Sequence, residues 1–344
     1  MGLQTLSSWT GQIGTVVLGA TRSEGGSRSI SYSIGGERDL PFLGSPPSGH
    51  RPLVAYEICD DLSIWPPVIR EFLKDRIREP GAWAREAGDQ WKPDLIRLFL
   101  TSTRKRDFRD FAAIRRTVEE VLQQSPLPLI IEGSTDQAID SEVFAACGEA
   151  GEGERLLLGT AEAGRYRSIA AAALAYGHAV IAQSPIDINL AKQLNILLRE
   201  TGVPENRIVI DPYTGALGYG FEYSYSVMER IRTSALKGDA DLAMPIISGA
   251  SDTLTVREVR EADPGISQRV AVTWEFYTAL SSALAGASIV CVRHPQTIPL
   301  LLDAIDALWG GAQELQGVRG SHLPHVRHET CQWQRRRGPL PLSG

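Results

Sequence analysis

One pattern constrains this chain more than any other: eight short apolar runs, each followed by a segment with helical character. The runs are "PLVAYEI" (52–58), "DLIRLFL" (94–100), "LPLIIEG" (127–133), "ERLLLGTA" (154–161), "HAVIAQS" (178–184), "RIVID" (207–211), "ADLAMPII" (240–247) and "ASIVCVR" (287–293). Continuous apolar runs of this length suit parallel strands covered on both faces. Between them lie amphipathic stretches such as "FRDFAAIRRTVEEVLQQ", "DINLAKQLNILLRETG" and "SYSVMERIRTSALKG". Others open on proline at a first-turn position, as in "PPVIREFLKD" and "PGAWAREAGDQW". Further helices are expected near 137–149 and 267–285. Eight βα units predict an α/β fold, a TIM (β/α)8 barrel over 51–312. An open nucleotide-binding sheet is disfavoured, because no G-x-G-x-x-G follows any of the runs.

The flanks read differently. Residues 1–50 alternate with period two around Gly25 and Gly26, which predicts a β-hairpin extension covering the barrel's N-terminal end. From Gly317 onward the chain carries five arginines against one acid and three of its six histidines. Residues 313–344 are therefore read as an atypical, disordered tail. Its His322, His325, His328 and Cys331 are spaced as metal ligands can be, but Pro324 works against a helix that would align them.

Composition excludes several classes. A net charge of −6 argues against a general nucleic-acid binder. No apolar run approaches the ~18 residues of a membrane helix, and the first residues lack the pattern of a signal peptide. Met1-Gly2 does not start a myristoylation site, since Leu6 stands where Ser or Thr is wanted. The four cysteines are widely separated, which suits reduced thiols in the cytoplasm and offers no local iron–sulfur motif.

Chemistry in such a barrel belongs at the carboxyl ends of the strands. The polar residues expected there are Glu57, Asp60, Glu132, Ser134, Thr160, Gln183, Ser184, Asp187, Asn189, Asp211, Arg293 and His294. They include no lysine for a Schiff base, no nucleophile elbow and no obvious acid–base pair. His294 could carry a proton or simply cap a strand end. Asp187 suits a helix N-terminus, and Asn189 could face the barrel mouth. The strongest lead is "DPYTGALGYGFEYSYSVMERIR" after the sixth run, where glycines permit close approach and tyrosines offer flat faces with polar tips. A tight turn with its tyrosines packed on neighbouring helices would use the same residues.

The stretch from "HAVIAQSPIDINLAKQLN" through "DPYTGALGYGFEYSYSVMERIR" resembles the small subunit of the corrinoid iron–sulfur protein, which in archaea is the delta subunit of acetyl-CoA decarbonylase/synthase. So do "SIGGERDLPF", "GAWAREA", "PLIIEGS", "LKGDADLAMPII", "TWEFYTAL" and "VRHPQTI", spread from about residue 30 to about 309. The resemblance implies a TIM barrel paired with a large (gamma) subunit that carries a [4Fe–4S] cluster and the corrinoid-binding domain. The cobamide would be shared between the subunits. A methyltetrahydropterin methyltransferase and acetyl-CoA synthase would be further partners, in the reductive acetyl-CoA pathway. Cofactor contacts are expected from Ser184, Asp187, Asn189, Tyr213, Thr214, Gly215, Ala216, Leu217, Gly218, Tyr219, Gly220, Tyr223, Arg293 and His294. No residue of this chain is assigned a catalytic or metal-ligating role. Whether the chain counts as an enzyme is left open. Two rivals are kept: a stand-alone barrel methyltransferase acting on methyl-tetrahydropterin through Asp187, Asn189 and Asp211, and a subunit whose barrel only organises partners. The basic tail matches nothing in that resemblance.

Overall fold

The computed structural model describes residues 9–43, 47–74 and 79–314. A short antiparallel pair comes first, β1 (Thr15–Leu18) and β2 (Tyr32–Gly35), with Thr15 opposite Gly35 and Leu18 opposite Tyr32. The barrel strands follow: β3 (Leu53–Cys59), β4 (Leu95–Phe99), β5 (Leu129–Glu132), β6 (Leu157–Ala161), β7 (Ala179–Gln183), β8 (Ile208–Asp211), β9 (Ile246–Gly249) and β10 (Ala287–Val292). They pair in parallel in chain order, and β10 returns to β3 to close the ring. The expected (β/α)8 barrel is therefore the fold.

Helices cover the outside: α1 (Pro67–Leu73), α2 (Pro80–Gln90), α3 (Phe111–Gln124), α4 (Asp140–Ala150), α5 (Tyr166–Tyr176), α6 (Ile188–Glu200), α7 (Phe221–Leu236), α8 (Arg257–Arg260), α9 (Ser267–Leu284) and α10 (Thr297–Glu314). Strand alternation separates two cores. Val54, Tyr56, Ile58, Ile96 and Leu98 point outward into the layer beneath the helices, with Trp65 and Trp83. Leu53, Ala55, Leu95, Ile130, Leu157, Ile181, Val209 and Ile289 point inward and fill the barrel. Val16, Leu18 and Ile34 of the β1–β2 pair join that inner cluster, so the hairpin stoppers the N-terminal end. Gly25 and Gly26 lie in the connection, which runs over residues 19–31 and includes a 3-10 turn at Arg22–Glu24.

Two boundaries differ from expectation. The seventh barrel strand is not 240–247. Asp239 accepts the Asp241 amide and caps a 3-10 turn at Ala240–Leu242, which delays the strand to Ile246–Gly249. The helix after β8 begins at Phe221 rather than Ser224, so Tyr223 is helical along with Tyr225. Of the span read as a tail, 313 and 314 close α10, and the rest, with the His/Cys series, lies outside the described residues.

The β10–α10 junction is fixed by a buried carboxyl. Glu275 of α9 accepts from the Arg293 amide at 2.7 Å, the His294 amide at 3.0 Å and Thr297 Oγ1 at 2.6 Å. Burial pushes its pKa up to about 7, against the pull of those donors. His294 is fully buried beside Phe72; Gln296 N donates to its Nδ1 at 3.2 Å, and Nε2 lies 2.8 Å from Gln268 Oε1. That arrangement suits the neutral Nε2–H ring, and burial lowers the pKa to about 4. His294 is thus a capping residue in the wall.

Two tests follow from this packing. Truncating Ile34, fully buried in the stopper, leaves a cavity, and Ile34→Ala should lower the unfolding free energy by about 3 kcal/mol in urea denaturation. For His294, the unfolded chain takes up a proton near pH 6.5 that the folded chain refuses until about pH 4. Its contribution is complete above pH 6.5 and is lost as pH falls toward 4, reaching about 3 kcal/mol. Unfolding curves of His294→Asn across pH 4–7 should show a correspondingly flatter acid limb; an unchanged limb would refute the assignment.

Candidate functional site

Toward the C-terminal mouth the inward side chains change character. Ala55 gives way to Glu57, Leu95 to Arg97, Ile130 to Glu132, Ile181 to Gln183, Val209 to Asp211 and Cys291 to Arg293. Parallel register sets Glu57 against Arg97, and Gln183 against Asp211. Arg97 binds Glu57 Oε1 through Nη1 at 3.1 Å and pairs with Glu132 through Nη2. Arg293 donates to Glu57 Oε2 from Nε at 2.9 Å and from Nη2 at 2.8 Å. Burial opposes charge on Arg97, but Glu132 and Glu57 outweigh it and hold the guanidinium's pKa well above its usual value.

Asp211 sits across the ring. It accepts from Gln183 Nε2 at 3.0 Å and from the Tyr213 amide at 2.8 Å. Burial raises its pKa, partly offset by Arg97. Above the ring opens a cavity of about 240 Å³, lined by Trp65, Arg97, Phe99, Gln183, Asp211 and Arg293 among others. The Arg293 guanidinium lies 4.3 Å over the Trp65 ring, and that of Arg97 lies 4.9 Å over Phe99. Among the described residues, no group of three or more His, Cys, Asp and Glu side chains is placed to hold a metal ion. Cys59, Cys147 and Cys291 are buried free thiols, and burial pushes each pKa up.

The loop after β8 frames this cavity. Its inner residues are structural: Thr214 Oγ1 shares a hydrogen bond with Ser248 Oγ at 2.7 Å, and the Gly215 amide donates to Ser224 Oγ. Ala216 is buried and its carbonyl receives the Tyr219 amide at 2.8 Å; the Leu217 amide donates to Thr278 Oγ1. Gly218 and Gly220 hold left-handed φ values of 75° and 100°, and this turns the chain so that Tyr219 faces outward. The outer residues are aromatic and open. Tyr213, Tyr219, Tyr223 and Tyr225 expose 41–61% of their surface. Tyr213 OH donates to Asp252 at 3.1 Å, and Tyr219 OH to Glu258 at 2.7 Å.

The remaining expected contacts separate. Ser184 is fully buried, and its hydroxyl has no partner among the described residues. Asp187 is spent on α6, accepting the amides of Asn189 and Leu190. Asn189 stands exposed on the first turn of that helix. Of the trio considered for a pterin, Asp211 alone lines the cavity. Sequence reasoning missed Arg97, Trp65 and Phe99. The signal for Arg97 was a charge in the middle of the apolar run "DLIRLFL", two positions from Leu95 and from Phe99 in the inward-facing alternation.

Comparison with known proteins agrees with this architecture. Solved structures with related shape include a dihydropteroate synthase of Xanthomonas albilineans, with TM-score 0.52 at 17% identity over 76% of this chain and 92% of that one. A dihydropteroate synthase of Coxiella burnetii in complex with pteroic acid gives 0.51 at 13% identity, over 80% and 99%. Such identities speak to the barrel fold alone. Sequence relatives are nearer. Acetyl-CoA decarbonylase/synthase complex subunit delta 1 of Methanosarcina thermophila is 36% identical over 320 residues, 90% of this chain and 73% of its own. Subunit delta of Methanopyrus kandleri is 36% identical over 308 residues, 88% and 76%. The family model described as CO dehydrogenase/acetyl-CoA synthase delta subunit matches residues 15–289. This chain belongs to that family of delta subunits.

Proposed function

We propose that this chain is the barrel subunit of a methyl-transferring corrinoid complex, and that its mouth caps a cobamide held by a larger subunit. The observation that carries this reading is the cluster of exposed tyrosines on the β8–α7 segment, at the open end of a barrel from this family. A corrin is a broad, flat ring with apolar faces and amide arms. Tyr213, Tyr219 and Tyr223 present apolar faces with hydroxyl tips, the combination such a ring can use. Gly218, at φ 75°, leaves the backbone without a side chain, so a ring can approach it there. Ser184, buried near the same strand ends, keeps a hydroxyl with no partner among the described residues.

When bound, the cobamide supplies the metal centre that accepts a methyl group. This chain's residues bind, orient and exclude water. The Arg97–Glu57–Arg293 set keeps the strand ends rigid beneath the rim, and the tyrosines meet the ring from above it. The [4Fe–4S] cluster belongs to the larger subunit in this reading. A methyltetrahydropterin methyltransferase and acetyl-CoA synthase would be the further partners, in the cytoplasm.

The test is a reconstituted pair of this chain with its corrinoid-binding subunit. Tyr219→Ala with Tyr223→Ala should cut cobamide retention about tenfold, read from the corrinoid absorption band, as two lost aromatic contacts imply. The melting curve of the chain alone should barely move, because both side chains are exposed. Full retention in the double variant would overturn the cap and favour a barrel that only organises partners.

A further inference from the structure

Two neighbouring residues at the mouth hold a backbone conformation that side chains avoid. Ile186 has φ 55° and Tyr213 has φ 63°. For a β-branched residue this left-handed region is a genuine outlier. The two sit on adjacent loops strapped together by backbone bonds, Ser184 N to Asp211 O and Ile186 N to Pro212 O, both 2.9 Å. Asp187 ties down the chain after Ile186 by capping α6, and Asp211 ties down Tyr213 by accepting its amide. The surroundings therefore impose the conformation, which is the condition for such strain to persist.

Burial does not repay it. Ile186 is 42% exposed and Tyr213 is 41% exposed. Glycine would hold either position without strain. Folding accordingly gives no reason for isoleucine at 186, and strained residues with nothing to gain from packing concentrate where a ligand is gripped.

We propose that Ile186 and Tyr213 form a rigid two-point clamp against the flat face of the corrinoid, with Ile186 a direct contact. This rests on the cap reading above. The strap fixes the two side chains relative to each other before the ligand arrives, so little ordering is left for the binding step. Tyr213 is steadied further by its hydroxyl bond to Asp252, whereas Ile186 offers only an apolar branched surface. That is a surface for a ring face and not for its amide edge.

The decisive variant is Ile186→Gly, because strain and contact pull in opposite directions. Relief of the left-handed strain should raise the melting temperature of the chain by about 2 °C, net of glycine's entropic cost. Cobamide retention in the reconstituted pair should fall about fivefold, while subunit affinity measured by sedimentation stays unchanged. A melting temperature that drops would refute the strain. Weaker subunit association without cobamide would assign Ile186 to the partner's protein surface and overturn the clamp. If retention holds in Ile186→Gly but falls in the Tyr219→Ala, Tyr223→Ala double variant, the clamp fails and the cap stands. If it holds in both, the cap itself fails.

Discussion

The mouth of this barrel depends on one guanidinium. Arg97 is buried between Glu57 and Glu132, and Glu57 is shared with Arg293. A charge removed from water at this depth is tolerable only while each partner is present. The set joins β3, β4, β5 and the end of β10, so four of the eight barrel strands are tied together by charge as well as by packing. Everything that shapes the rim stands on those strand ends. The cation faces of Arg97 and Arg293 also decide how Phe99 and Trp65 lie. Polar floor and aromatic rim are thus two levels of one construction.

Much of this was legible in the sequence, for a physical reason. A strand buried on both faces must be apolar throughout, so eight such runs separated by helical stretches leave little choice of topology. The stopper was legible too in its period-two pattern, with Val16, Leu18 and Ile34 facing in while Thr15 and Val17 stay exposed. Where the reading slipped, local polar chemistry had outweighed hydrophobic pattern. Asp239 turned apolar-looking residues into a capped turn and moved β9. Glycine at 220 allowed α7 to start before the serine that looked like its beginning.

Side-chain roles were less legible than elements. His294 was a candidate proton carrier from its type, yet its ring is enclosed by Gln268, the Gln296 amide and Phe72. Asp187 caps α6, and the Thr214 hydroxyl bonds across to Ser248 of β9. Arg97 went unremarked in an apolar strand, because the residues that pair with it are 40 and 35 positions away in sequence. No local pattern reports a partner at that separation. A comparison of inward positions across neighbouring strands would have done so, since Glu57 and Arg97 share one register step.

The hairpin stopper has a consequence for traffic. With Val16, Leu18 and Ile34 sealing the far end, the barrel is a cup and not a tube. Whatever settles in the 240 Å³ hollow above the charged floor must enter through the mouth that Tyr213, Trp65 and Phe99 line. A lid seated on that rim closes the cup, and a small occupant can then neither arrive nor depart until the lid lifts. Order of arrival becomes order of release reversed: first in, last out.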